Sequence, residues 1–382
     1  MTTRRELITG AGALAAAGPL AGTLAGPLGQ ASAQAPDPRY SACALQVVCD
    51  AVNQDASVEA ARARMMGSIA RIGRQVATTK AFLRTFNGTE LKLVVLPEYF
   101  LTGFPLRESR EEWKAKASVD MDGPEYEALA AIAQRFGVFL GGNLYENDPN
   151  FPSLYFQANF LIAPSGETVL RYRRMISLYT PTPYDVWDEY LEIYGYDAVF
   201  PVADTEIGLI GSVASEEILY PEIARAHALK GAEILIHPTS EVGSPRLTVK
   251  DIAKRARAIE SMGYLVSANS AEIIGTPVPS ASTDAMSKIV DWNGTVLAEA
   301  ESGESLNANA TIDLPELRAV RQRTGMANMT SRLPLAAFAP TYAGTERALP
   351  NSMAGRDMLS QDEALARQRA VIDRMRSEGV LE

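Results

Sequence analysis

Short apolar runs alternate along this chain with longer stretches in which apolar residues return every three or four positions, the signature of strands interleaved with amphipathic helices. Residues 42–49 read as a first strand and 58–86 as a long helix; 91–97 is again a strand, 124–136 a helix and 138–145 a strand. The runs 157–162 and 168–175, separated by Pro164-Ser165-Gly166, predict a hairpin. Beyond them come a strand over 207–214, a helix over 220–230, a strand over 232–236 and a helix over 246–262. Strands follow over 264–269, 286–291 and 295–300, the last two joined at Asn293-Gly294. The tail from about Leu314 carries two helical stretches, one of them 361–378. No internal repeat or long linker divides the region, so alternation alone predicts a layered α/β domain.

Within this pattern the unit 207–241 stands apart, because a single hydroxyl, that of Ser215, sits where a strand turns into a helix. Ser215-Glu216-Glu217 forms the turn, Pro221 and Glu222 open the helix, and Gly231 closes it before the next apolar run. A strand, elbow and helix in this order lift a nucleophile above a sheet and aim backbone amides at developing negative charge.

Composition narrows the class. The chain has 382 residues, 47% hydrophobic and 21% charged, enough for one large domain with extensions. Its net charge of -10 argues against nucleic acid or an anionic membrane as the main partner. Cys43 and Cys49 fall in the same expected strand, where six residues separate them by roughly 20 Å, too far for a disulfide. Both read as core residues. His227 and His237 are the only histidines, so neither a zinc site nor a Ser-His-Asp order is signalled, and no metal or cofactor is expected. His227 reads as a surface or packing residue; His237, at a strand end near the elbow, reads as structural, with a substrate contact as the alternative.

The first 33 residues read as separate from the fold. Thr3-Arg4-Arg5-Glu6-Leu7-Ile8 precedes an Ala, Gly and Leu stretch, and Ala31-Ser32-Ala33 offers a small-residue cleavage pattern. Together they resemble a twin-arginine export signal, and the expected location is a bacterial periplasm or the exterior. Pro19 and Pro27 interrupt the apolar stretch, which makes it poor material for a membrane helix.

Two further segments complete a pattern with the elbow: Leu93-Val94-Val95-Leu96-Pro97-Glu98 and Tyr172-Arg173-Arg174. With Ser215 six residues before Pro221-Glu222, they resemble the three motifs of the nitrilase superfamily of carbon-nitrogen hydrolases. The resemblance covers about residues 43–310 and implies a four-layer αββα sandwich. It implies domain limits of 40–313, with 314–382 as a helical extension that wraps a dimer. In that family a Glu is the general base, a Lys steadies the oxyanion and a Cys attacks the carbon. Glu98 carries over unchanged, whereas Arg174 stands at the Lys position and Ser215 at the Cys position. The family also implies pairing of subunits near the elbow, hence a homodimer or larger homo-oligomer, and a small-molecule substrate.

The family places a supporting glutamate on a loop near the site, and Glu189 is the best positional match, with Glu192 next; a solvated helix turn is the other reading. Glu146, at the end of a strand, reads as a surface carboxylate. Tyr99, Phe100, Tyr184 and Trp187 offer an aromatic wall, or core packing. Three roles follow for Glu98, Arg174 and Ser215. In the first, a hydrolase attacks an amide, nitrile or carbamoyl carbon with Ser215, uses Glu98 as base, and stabilises the oxyanion with Arg174 and the backbone N–H of Glu216. In the second, an inactive protein of the same fold holds a small anionic ligand on Arg174. In the third, Ser215 caps a helix and Glu98 pairs with Arg174 structurally.

Overall fold

In a computed structural model of the protein, local signals set the ends of the longest helices. The structure describes residues 39–243, 249–345, 347–355 and 357–382. The export-signal reading of residues 1–33 and the expected helix start at Arg246 lie outside these residues. The chain runs from strands β1 (Arg39–Ala44) and β2 (Cys49–Asp50) into helix α1 (Val58–Phe86). Then come β3 (Leu91–Val95), α2 (Arg110–Ala117), β4 (Ser118–Asp120), α3 (Pro124–Phe136), β5 (Phe139–Asn147), β6 (Tyr155–Ile162) and β7 (Thr168–Arg173). The second half holds α4 (Trp187–Tyr194), β8 (Ala203–Thr205), β9 (Gly208–Ser212), α5 (Pro221–Leu229), β10 (Ile234–Pro238) and α6 (Val249–Ser261). It closes with β11 (Tyr264–Ala268), β12 (Ile273–Ile274), β13 (Lys288–Val290), β14 (Val296–Glu299), β15 (Asn309–Asp313), α7 (Leu314–Gln322), α8 (Leu335–Ala343) and α9 (Gln361–Ser377).

Ser57 caps α1 by accepting from the Ala60 N–H, and the stripe Ala61, Met65, Ile69, Ile72, Val76 and Leu83 buries one face at helical spacing. Pro124 opens α3, and Gly137, at φ +58°, closes it.

Two sheets stack face to face. One orders its strands β15-β1-β3-β5-β6-β7, with β4 on β5; the other runs β14-β13-β11-β10-β9-β8. Alternation along the strands divides the apolar residues between layers: Ala42, Leu93, Val95 and Leu161 pack with Ile210, Ile234, Ile236 and Val266 between the sheets. Cys43, Val94 and Leu140 instead point outward to Met65, Ile72 and Leu129 on α1 and α3. The sheets approach closely where Gly141 faces β10, since a Cβ there would stand 3.0 Å from the Ile236 methyl. Helices outside two packed sheets make the αββα sandwich.

The expected strand over 42–49 is not continuous. β1 ends at Ala44, and Cys49 pairs with Ile273 in a separate two-stranded ribbon. The break has a cause in Gln46, which is fully buried and must find partners. Its Nε2 donates to the carbonyls of Glu301 and Gly303, and its Oε1 accepts from the Ser287 N–H. The separation drawn from one extended strand therefore does not apply, but both cysteines are free and buried. Burial pushes each thiol up to about 12, which leaves them inert.

Candidate active site

Glu98, Arg174 and Ser215 all leave the carboxyl ends of strands. Glu98 follows β3, Arg174 follows β7, and Ser215 follows β9 in the other sheet. β3 lies parallel to β5, and β7 returns to the same direction through the antiparallel β6, so the first two ends share one edge of their sheet. The Glu98 N–H donates to the Thr239 carbonyl just past β10, which ties that edge to the facing sheet.

The elbow is a short 3₁₀ turn over Ser215–Leu219, with Ser215 itself at φ +47°. A non-glycine residue in this region costs about 1–3 kcal/mol and persists only where its surroundings fix it. Two side chains do so. His237 Nε2 lies 2.8 Å from the Ser215 carbonyl, which can only accept, so Nε2 carries the proton. His237 Nδ1 then accepts from the Ser267 hydroxyl at 2.9 Å. Burial lowers His237 to about 3, so the ring is neutral, and with both nitrogens engaged it is not a base for the Ser215 hydroxyl.

The second brace is Glu217, which is fully buried. One oxygen accepts from the Met175 and Ile176 N–H groups at 2.7 and 2.9 Å, the other from the Ala214 N–H at 3.1 Å and the Tyr172 hydroxyl at 2.8 Å. It thus locks the elbow to the segment that carries Arg174. Burial pushes Glu217 up to about 7, against the pull of Arg174 and these donors. Its bond to the Ala214 N–H caps the turn, but Ala214 has no side-chain oxygen to complete a capping box, so no sequence signal marks it.

Glu98 is fully buried and accepts from Gln157 Nε2 at 2.5 Å and from the Ser240 N–H at 3.1 Å. Tyr99, directly after it, also has a positive φ, +63°. Arg174 reaches Glu98 at 3.5 Å and Gln157 Oε1 at 2.7 Å through Nη1, and donates to the Ile176 carbonyl through Nε. Its Nη2 forms an ion pair with Glu216 at 2.5 Å. Of five N–H donors, four thereby face protein acceptors. The reading in which Arg174 holds an anionic ligand loses its footing, because two carboxylates already neutralise the guanidinium. Ser215, by contrast, makes no hydrogen bond through its hydroxyl among the described residues.

Gln157, Asn143, Asn159 and Ser212 continue inward as a buried ladder of polar side chains. Gln157 Nε2 donates to Asn143 at 3.1 Å, Asn143 to Asn159 at 2.6 Å, and Asn159 to Ser212 at 2.7 Å. The ladder crosses from β6 and β5 to β9, so Glu98 and the elbow are held in register by one network. Sequence reasoning missed it, because each residue sits singly in an apolar run.

Other expected residues lie elsewhere. Glu189 is exposed on α4 and makes none of the contacts that join Glu98, Arg174 and Ser215; Glu192 is exposed too. The reason is that α4 turns Tyr190 inward against Phe151, Phe156 and Val186, which sends its acids to solvent. The acid that meets Arg174 is Glu216. Glu146 is fully buried rather than on the surface, accepting from Tyr126 at 2.8 Å and pairing with Arg171 at 2.7 Å. His227 is fully buried against Tyr172 and Phe200, its Nδ1 3.1 Å from the Pro201 carbonyl. Phe100 is core, and Tyr184 packs on Trp187 at 5.4 Å. A cavity of about 1180 Å³ opens between Arg62, Lys114, Asp120, Asp148 and Arg171, and none of Glu98, Arg174 and Ser215 lines it.

A buried acid, a buried cation and a strained elbow thus gather at the strand ends of an αββα sandwich, the architecture of the nitrilase superfamily. The family model described as carbon-nitrogen hydrolase matches residues 53–322, and the chain belongs to that family of enzymes, which act on carbon-nitrogen bonds. A probable nitrilase of Schizosaccharomyces pombe is 24% identical over 230 residues, 60% of this chain and 78% of the relative. An omega-amidase of Xenopus laevis is 26% identical over 246 residues, 61% of this chain and 80% of the relative. In fold, the chain is similar to the crystal structure of a Saccharomyces cerevisiae member of branch 10 of the nitrilase superfamily. The TM-score is 0.57 at 19% identity, with 76% of this chain and 96% of the other covered.

Proposed function

We propose that the protein hydrolyses the carbon-nitrogen bond of a small amide, nitrile or carbamoyl compound, with Ser215 as nucleophile. The observation that carries this reading is the Ser215 hydroxyl, which bonds to none of the described residues, on a strained elbow whose next residue, Glu216, binds Arg174. On an amide, the Ser215 oxygen adds to the carbonyl carbon while Glu98 accepts its proton. The oxyanion is stabilised by the remaining Arg174 N–H and by the Glu216 backbone N–H, which bonds to no other described residue. Glu98 returns the proton to the departing amine, and water then cleaves the ester. Ser215→Ala should lower turnover by about 10³-fold or more and Glu98→Gln by about 10²–10⁴-fold. The check is ammonia release, with a mass increase on the Ser215 peptide as evidence of the ester. Turnover that survives Ser215→Ala removes Ser215 from this role.

The same reading takes the protein as a homodimer. Leu335, Phe338 and Tyr342 on α8 stand exposed, as do Leu219 and Tyr220 at the end of the elbow, and the Tyr342 hydroxyl joins α8 to α5 by donating to Glu222 at 3.0 Å. Val249 and Ile252 on α6, 68% and 72% exposed, add to the apolar surface. Sedimentation at micromolar concentration should give twice the mass of the chain; a monomer refutes the pairing. The Arg4-Arg5 pair and Ala31-Ser32-Ala33 support export in a folded state, in which case the periplasmic protein starts near Gln34. No helix among the described residues is long and apolar enough to cross a membrane.

A further inference from the structure

Charge around the elbow is unbalanced. Among the described residues, Arg174 is the one cation in contact with Glu98 and Glu216, and both carboxylates share it. Glu217, a third acid, accepts from the Met175 and Ile176 amides, directly after Arg174 in the chain. One guanidinium therefore faces more than one negative charge, and most of its donors are already bound to protein.

The members of this group differ in their access to solvent. Glu98 is fully buried and the Arg174 side chain 8% exposed, but the Glu216 side chain is 41% exposed, directly beside the nucleophile in sequence. Glu216 is thus the acid that an arriving molecule meets first. Tyr220, 41% exposed, stands one turn further along the elbow. Burial first, and then the charge of Glu216, raises Tyr220 above the usual phenol range. An exposed carboxylate with an exposed aromatic residue four positions further along the chain is a chemical match for an ammonium group, through ionic attraction and the negative face of the ring. A carboxylate on the substrate would meet Glu216, and the one cation that Glu216 contacts among the described residues is already shared by two carboxylates.

From this arrangement we infer that Glu216, seconded by Tyr220, makes the site selective for amides that carry a positive charge, such as ω-amino amides, over neutral ones, and excludes anionic ones. The inference deepens the hydrolase reading and rests on it for the reaction, but not for the binding preference. Neither residue needs to move a proton. Each sets which substrate enters.

Three probes of nearly equal size separate the charges: 4-aminobutyramide, butyramide and succinamate. With the full chain, ammonia release should give kcat/KM for the cationic probe about tenfold above the neutral one, with the anionic probe lower still, and the ratio should shrink as salt is raised from 20 mM to 500 mM. Glu216→Gln should cut the cationic-to-neutral ratio by about tenfold, whatever it does to absolute rates, and Tyr220→Leu by about threefold. Calorimetry on Ser215→Ala, which cannot turn the probes over, should show the same order of affinities. Turnover or binding that ignores charge, favours succinamate, or keeps its ratio in Glu216→Gln overturns the inference. No turnover of any probe, with the cationic preference intact in calorimetry, overturns the hydrolase reading and leaves the selectivity standing. A failure to bind any of the three counts against both.

Discussion

At the scale of single residues, the proposed chemistry turns on the altered pair Ser215 and Arg174. A thiol, with an ordinary pKa of about 8.5, ionises beside a base, whereas a hydroxyl must lose its proton as it attacks. Arg174 stays charged throughout and offers directed N–H groups rather than a point charge. The double change Ser215→Cys with Arg174→Lys should therefore raise the rate of acylation, by about tenfold or more, measured as the burst of ammonia in the first turnover. Arg174→Lys alone should slow the enzyme, because an ammonium cannot span Gln157, the Ile176 carbonyl and Glu216 at once. A double variant slower than the parent would mean that the scaffold has adapted to the hydroxyl. Much of this was legible in the sequence: the spacing of Ser215 from Pro221 marks the elbow, and Glu98 ends a plain apolar strand. His237 was legible as a structural residue near the elbow, but Gln157 and Ser240 were not, because they reach the site by contacts made across the fold, such as the 142 positions between Ser240 and Glu98.

Elements formed where sequence signals were local. Helices α1 and α3 begin and end at the expected residues, since Ser57, Pro124 and Gly137 act within one turn of the ends they set. The expected strand over 42–49 broke because the partners of Gln46 lie more than 240 positions along the chain. Close packing between elements was equally invisible in one dimension. Gly211 on β9 faces α5, where a Cβ would stand 2.9 Å from that of His227. Gly211→Ala should thus force β9 and α5 apart at a cost of about 1–3 kcal/mol. Gly67, in the middle of α1, has nothing within 4 Å of a built Cβ. Gly67→Ala should stabilise the protein by about 0.5–1 kcal/mol, because glycine is the poorer helix former. Denaturant melts of the two variants check both signs, and equal shifts in the same direction would contradict the packing argument.

For the molecule as a whole, the buried histidines make stability depend on pH. Burial holds His227 and His237 down at about 3, whereas in the unfolded chain each titrates near 6.5. Above pH 6.5 both states are neutral, and the stability that these groups contribute is fully present. As pH falls below 6.5 the unfolded chain binds protons that the native rings refuse, and stability is lost progressively down to about pH 3. At 1.36 kcal/mol per unit, each ring accounts for about 5 kcal/mol over that window. Glu217 works in the opposite sense. Its folded value of about 7 lies above the ordinary 4.5, so its contribution is present at low pH and lost as pH rises through 7. The two histidines together outweigh this one acid, and the protein should weaken towards acid. His227→Asn keeps a donor for the Pro201 carbonyl but removes the titrating ring. It should lower stability overall and, between pH 6 and 4, flatten the dependence on pH by one proton, or about 1.4 kcal/mol per unit. Urea melts across that range measure the slope. An unchanged slope would mean that His227 is protonated in the folded protein, and that the buried ring has found a partner for its second nitrogen.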